Sequence, residues 1–97
     1  MKSYSVYILL CNDGTFYTGV TSNLDQRIRQ HESKHFKDSY TSTRLPIELK
    51  WYAEFSDPYV AFTWEKKIKN WSRAKKEAII SGDFDSLILL SKKNFKE

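Results

Sequence analysis

Residues 4–10, YSVYILL, and residues 16–20, FYTGV, are two short runs of aliphatic, β-branched and aromatic side chains separated by a polar break. Such runs favour pleated, half-buried strands. Asn12, Asp13 and Gly14 supply the turn, because Asn and Asp tolerate left-handed backbone and Gly adopts positive φ without a steric penalty. The pattern therefore predicts a hairpin, and loop length decides which side chains share a face. A three-residue loop, Asn12 to Gly14, pairs Cys11 with Thr15, Leu9 with Tyr17 and Tyr7 with Gly19. A two-residue loop would put the two tyrosines on opposite faces. The odd-length loop gathers Val6, Ile8, Leu10, Phe16 and Val20 on one apolar face. It leaves Ser5, Tyr7, Leu9, Thr15, Tyr17 and Gly19 on a more polar face, with the phenols as diagonal neighbours and no side chain opposite Tyr7. This register is the expected one.

Downstream, the period changes. Asn23 is a good N-cap with Gln26 at capping-box spacing, and Leu24 and Ile28 make an apolar pair one turn apart, so a helix is predicted from Leu24. Arg27 and His31 are also one turn apart and border the face that the helix packs on. Residues 32–46 are polar and aperiodic and carry Lys34, Lys37 and Arg44, which reads as a surface loop able to touch a partner. IELKWYAEF alternates, placing Ile47, Leu49, Trp51, Ala53 and Phe55 on one side of a third strand. Asp57 followed by Pro58 is an N-cap and N1 pair opening a helix through about Ser72. Its apolar stripe is Ala61, Trp64, Ile68 and Trp71, and Glu65 sits inside it. Gly82 interrupts the helical pattern, Asp83 can cap a further short helix with Leu87, Ile88 and Leu90, and a Lys-rich tail is expected to fray from Ser91. No internal repeat or linker divides the chain, so residues 1–90 are expected to form one domain and 91–97 a tail.

The chain has 97 residues, enough for one core but not two. Its apolar fraction is 40% and its aromatic fraction 15%, which excludes a disordered or fibrous chain. The net charge of +4 and pI near 9.2 suit a polyanionic partner such as nucleic acid, although surplus lysine is also an ordinary route to solubility. Cys11 stands alone, which excludes an intrachain disulfide and a multi-cysteine zinc site and fits a reducing cytoplasm. Met1 leads into a strand-like run with neither a basic leader nor a cleavage site, and no run of ~18 apolar residues can span a membrane. A cytoplasmic protein without membrane contact is the expectation.

Each candidate chemical group also has an ordinary structural reading. A strand tyrosine usually serves a core or interface, but two on the non-core face beside a glycine suit a site where a ligand nears the backbone. Arg27 alone reads as a solvated helix charge and His31 as a satisfied structural histidine. Together they form a cationic edge, and guanidinium presents a planar fork that matches phosphate. Glu65 either pairs with Lys69 one turn on or, as a partly buried carboxylate, meets a metal. Residues 66–76 hold Lys66, Lys67, Lys69, Arg73, Lys75 and Lys76 with no acid among them. That is either a solvated face or a surface that tracks phosphates.

VYI at residues 6–8, YTG at 17–19, TSNLDQRIRQH at 21–31 and EKKIKNWSRAKK at 65–76, in this order, resemble the signature of the GIY-YIG nuclease superfamily. The resemblance extends from Tyr4 to about Leu90 and is nearest to the small, single-domain, excinuclease-like endonucleases of that superfamily. Ser5 and Val6 stand where the family name has Gly and Ile, and Val20 stands where DNA-repair members carry a lysine. The resemblance implies an α/β fold of the α+β kind, a three-stranded antiparallel sheet flanked by helices. It further implies cleavage of phosphodiester bonds with one divalent ion, Mg²⁺ or Mn²⁺.

Carried over by position, Tyr7 and Tyr17 are the motif tyrosines, Gly19 the motif glycine, Arg27 and His31 the helix cations and Glu65 the metal ligand. Glu65 would hold the ion through oxygen, and Arg27 would stabilise charge on phosphorus. A phenol with a pKa of ~10 needs a nearby cation to act as a base. Tyr7 is the preferred base and Tyr17 the orienting group, though sequence does not rank them. Gly19, Arg44, Lys66, Lys67, Lys69 and Arg73 are the expected substrate contacts. The leading expectation is a metal-dependent endonuclease acting on DNA before RNA, on structured or damaged forms. The alternative is a catalytically weak or inactive nucleic-acid-binding module of the same fold. A protein-interaction domain built on Trp51, Trp64 or Trp71 has little support.

Overall fold

A computed structural model describes residues 2–33 and 41–95, with side chains described through residue 90. Strands β1 (Tyr4–Leu10) and β2 (Phe16–Thr21), helix α1 (Leu24–Glu32), strand β3 (Glu48–Phe55) and helices α2 (Pro58–Lys69), α3 (Arg73–Ser81) and α4 (Phe84–Phe95) follow in chain order. The strands form one antiparallel sheet in the order β2-β1-β3, the expected architecture. Tyr7 lies opposite Gly19 and Leu9 opposite Tyr17, the register of the three-residue loop. The turn closes with Cys11 N–H donating to the Thr15 carbonyl at 2.8 Å. Gly14 turns the chain at φ +84°, a backbone conformation that L side chains rarely adopt.

One face of the sheet carries the main core. Val6, Ile8, Ala61 and Ile68 are buried between β1 and α2, and Phe16, Val20, Trp51, Phe55, Trp71, Ile79 and Ile80 pack around them. The third strand departs from strict alternation. Ile8 pairs with Trp51 but Leu9 pairs with Leu49, so a bulge at Lys50 separates Leu49 from Trp51 and moves it to the face of Leu9. Ile47 lies outside the strand.

The helix opened by Asp57 ends at Lys69 rather than near Ser72. Asn70 caps its end, and Ser72 opens α3 by accepting from the Lys75 N–H at 3.3 Å. A Ser N-cap competes well for the first N–H groups of a new helix, and the basic run 66–76 is thereby split between two helices. Gly82 ends α3 at φ +76°, and Asp83 accepts from the Ser86 N–H at 3.1 Å to start α4. That helix runs to Phe95, past the residue at which the tail was expected to fray.

The centre of the second face is covered rather than open to a ligand, contrary to expectation, while its β3 margin is exposed: Tyr52, opposite Tyr7, is 51% exposed, and Glu54, opposite Ser5, is exposed. Tyr7 and Leu9 are completely buried. The 32–46 segment contributes to the burial: Thr41 and Ser42 are buried rather than on a surface loop. Lys34 and Lys37, expected on that loop, lie outside the described residues. Among the described residues no helix is long and apolar enough to cross a membrane.

Candidate active site

Tyr7 is the centre of the second face. It extends from the middle strand, and its ring lies over Gly19: a Cβ built on Gly19 would sit 2.5 Å from Tyr7 Cζ and meet the phenolic oxygen as well. The close approach expected at Gly19 is therefore made by the ring of Tyr7 itself. Hairpin parity brings Tyr17 to the same face, with ring centroids 6.3 Å apart.

Helix α1 supplies Arg27 and His31. Asn23 accepts from the Gln26 N–H at 3.1 Å and fixes the helix start, so residues 27 and 31 point together. His31, 2% exposed, lies edge-on to Tyr7 and Tyr17 at centroid distances of 6.2 and 5.3 Å. Its Nε2 is 3.2 Å from the Tyr7 oxygen, and its Nδ1 is 2.7 Å from Oγ1 of the fully buried Thr41. Arg27 lies near the Tyr7 phenol and faces it with a positive charge.

The electrostatics follow from this packing. Burial, then the neighbouring Tyr17, pushes the Tyr7 phenol up to about 12; Arg27 opposes the rise and the Glu65 carboxylate adds to it. Burial first, and the Arg27 charge second, lowers the His31 pKa and favours a neutral ring.

Glu65 reaches the same region from α2, one turn before Lys69. Its carboxylate is 14% exposed, and Lys69 Nζ lies 3.0 Å from Oε2. The hydrogen bond to Glu65 raises the Lys69 pKa, and Tyr17 acts in the same direction. The ion-pair reading of this carboxylate is seen directly, and its charge also acts on the Tyr7 phenol. Among the described residues no group of three or more His, Cys, Asp or Glu could cage a metal. A single carboxylate does suit Mg²⁺ or Mn²⁺, hard ions that keep several waters and complete their shell with substrate phosphate. The donor set fits an ion shared with substrate rather than a permanently held one.

The remaining cations divide. Lys66 and Lys67 are exposed on α2, and Lys67 lies 4.9 Å from the Trp64 ring, ~200° around the helix from Glu65. Arg44 pairs with Asp13 at 2.9 Å. Arg73 stacks on Phe16 at 4.5 Å, pairs with Glu77 at 3.0 Å and donates to the Gly14 carbonyl. These two arginines hold the hairpin turn, which supplies the structural partners that sequence did not assign them. Thr41 was missed altogether. A lone threonine in a polar segment carries no signal that it will meet a histidine ten residues away.

Residues 3–78 match the family model of the GIY-YIG catalytic domain. The chain is 40% identical over 93 residues to the UPF0213 protein BH0048 of Halalkalibacterium halodurans, covering 92% of this chain and 97% of that one. It is 38% identical over 78 residues to the UPF0213 protein NP_0776A of Natronomonas pharaonis, covering 80% and 91%. The solution NMR structure of BH0048 from Bacillus halodurans aligns with a TM-score of 0.54 at 40% identity, over 81% of this chain and 83% of that chain. That of EF2693 from E. faecalis aligns at 0.59 and 30% identity, over 87% and 88%. A match spanning most of the chain, including the two strands that carry Tyr7 and Tyr17, places this protein in the GIY-YIG family, among its small UPF0213 members.

Proposed function

We propose that the protein is an endonuclease that hydrolyses phosphodiester bonds in DNA with the help of one divalent ion held by Glu65. The observation that carries this reading is the convergence of Tyr7, Tyr17, His31 and Arg27 from three elements on one face, with the Glu65 charge felt by the Tyr7 phenol. Arg27 has a planar array of donors suited to a non-bridging phosphate oxygen and to the charge that develops there. Tyr7, hydrogen-bonded to His31 and completely buried without substrate, is the group assigned to accept the proton of an attacking water. Tyr17, at the edge strand and partly exposed, orients that water or the phosphate. Mg²⁺ or Mn²⁺, when bound, would polarise the scissile phosphate and stabilise the leaving 3′ oxygen. Lys66 and Lys69 carry positive charge along α2 for the flanking phosphates, whereas Lys67, on the far side of the helix against Trp64, faces away from Glu65.

The Glu65–Lys69 ion pair favours a second reading, a nucleic-acid-binding module of the same fold with weak or no turnover, because the ammonium occupies the carboxylate. Nicking of supercoiled plasmid with Mg²⁺ or Mn²⁺ separates the two. A nuclease nicks as wild type and loses activity as Tyr7→Phe and Glu65→Gln while still binding DNA. Equal binding by all three proteins with no nicking by any selects the binding module.

A further inference from the structure

We infer that Thr41 is a positioning residue: its hydroxyl holds His31 in the tautomer protonated on Nδ1, leaving Nε2 to take the proton that Tyr7 hands on during hydrolysis. The tautomer assignment needs only the buried hydrogen bonds, whereas the proton path rests on the nuclease reading above.

Proton inventory sets the direction of the chain. Guanidinium has donors only, so the nearby Arg27 offers the Tyr7 proton no acceptor. Tyr7 is completely buried, and its own proton needs an acceptor; His31 Nε2 lies 3.2 Å away. In a neutral imidazole one nitrogen donates and the other accepts. If Nε2 accepts, Nδ1 carries the hydrogen and donates to Thr41 Oγ1 at 2.7 Å. The opposite tautomer would aim a second donor at a phenolic oxygen that Arg27 already faces. Burial and Arg27 both act to keep the ring uncharged, as this arrangement requires. Among the described residues, the titratable and polar groups on the elements around His31 include Tyr7 from β1, Tyr17 from β2, Arg27 from its own helix and Thr41 from the segment before β3, with Glu65 and Lys69 on α2.

The chemistry balances. Water oxygen forms a bond to phosphorus as the bond from phosphorus to the 3′ oxygen breaks. A water proton passes to the Tyr7 oxygen while the phenolic proton passes to Nε2, making imidazolium. The 3′ oxygen leaves with the bonding electron pair and takes a proton from solvent, and His31 later returns its own proton through Tyr7. Tyr7 is neutral before and after, which suits a phenol that burial holds protonated at neutral pH.

The test uses ring-nitrogen NMR of the full chain without nucleic acid, in a His35→Gln background that leaves one histidine. The spectrum should show hydrogen on Nδ1. Thr41→Val should move it toward Nε2, slow nicking roughly tenfold to a hundredfold at unchanged KM and shift the acid limb of the pH profile. Thr41→Ser should restore all three. Hydrogen on Nε2 in the Thr41 protein, or a Thr41→Val protein with unchanged spectrum and rate, overturns the inference. If Thr41→Val does not fold, the parent spectrum alone decides the tautomer. No nicking by the parent at any pH or metal overturns the nuclease reading and the proton path with it, and the spectrum still decides the tautomer.

Discussion

Lys69 Nζ lies 3.0 Å from Oε2 of Glu65, so the carboxylate proposed to receive a divalent ion already faces a cation from its own helix. The lysine side chain is 56% exposed, and such pairs are worth ~0.5–1 kcal/mol. Removing the ammonium by Lys69→Met should therefore tighten Mn²⁺ binding about two- to fivefold in calorimetric titration. Stability should change little. Unaltered metal affinity would mean that the ammonium does not compete for Glu65.

The two hairpin glycines should respond differently to a methyl group. At Gly19 a Cβ meets the ring of a completely buried Tyr7 that His31 and Arg27 hold in place. Gly19→Ala should lose about 1–3 kcal/mol and nearly all nicking, because the phenol must shift. At Gly14 nothing lies within 4 Å of an added Cβ, but φ is +84°. Gly14→Ala should lose about 1 kcal/mol by backbone strain alone and keep its activity. Urea denaturation with plasmid nicking on the same preparations checks both.

Two buried groups should shape stability from opposite ends of the pH scale. Burial raises the Tyr7 pKa from 10.0 to about 12. Below pH 10 both states keep the proton and the contribution is whole; between about 10 and 12 only the unfolded chain releases it, and about 3 kcal/mol is lost. For His31 the folded pKa is lowered from 6.5, so its contribution is complete above that value and falls as acid protonates the unfolded chain first. Urea midpoints should be highest near neutrality, with Tyr7→Phe flattening the alkaline limb and His31→Gln the acid limb.

Thr18 offers a stabilising substitution away from the candidate site. It pairs with Ile8 on the core face, is 2% exposed, and its hydroxyl finds no partner among the described residues. Thr18→Val replaces an unsatisfied oxygen with a methyl of similar size and should gain about 1 kcal/mol in urea denaturation with nicking unchanged. A loss of stability would mean that the hydroxyl has a bound water.

The hairpin register was legible because side chains alternate with a period of two and one parity gave a clean apolar face. The α1 cap and the place of Glu65 in its stripe were legible for the same reason: each depends on neighbours within a turn or two. The bulge at Lys50 was not, since a strand of alternating residues carries no mark of where its partner slips. Nor was the break at Ser72, where a cap interrupts a pattern that still reads as helix on either side. The covered centre of the second face was the largest difference. Its cover comes from α1 and residues 41–42, and the contact between His31 and Thr41 depends on how an aperiodic segment folds back.

Arg44 and Arg73 grip the hairpin turn from separate parts of the chain, one through the Asp13 carboxylate and the other through the Gly14 carbonyl. Residues 41–44 thereby join the strand that bears Tyr17 to the residue that touches His31, and α3 is tethered to the same point. Loosening either arginine would tilt the edge strand against the central one, so damage at the rim of the molecule, remote from any reacting atom, would register as a misaligned pair of phenols.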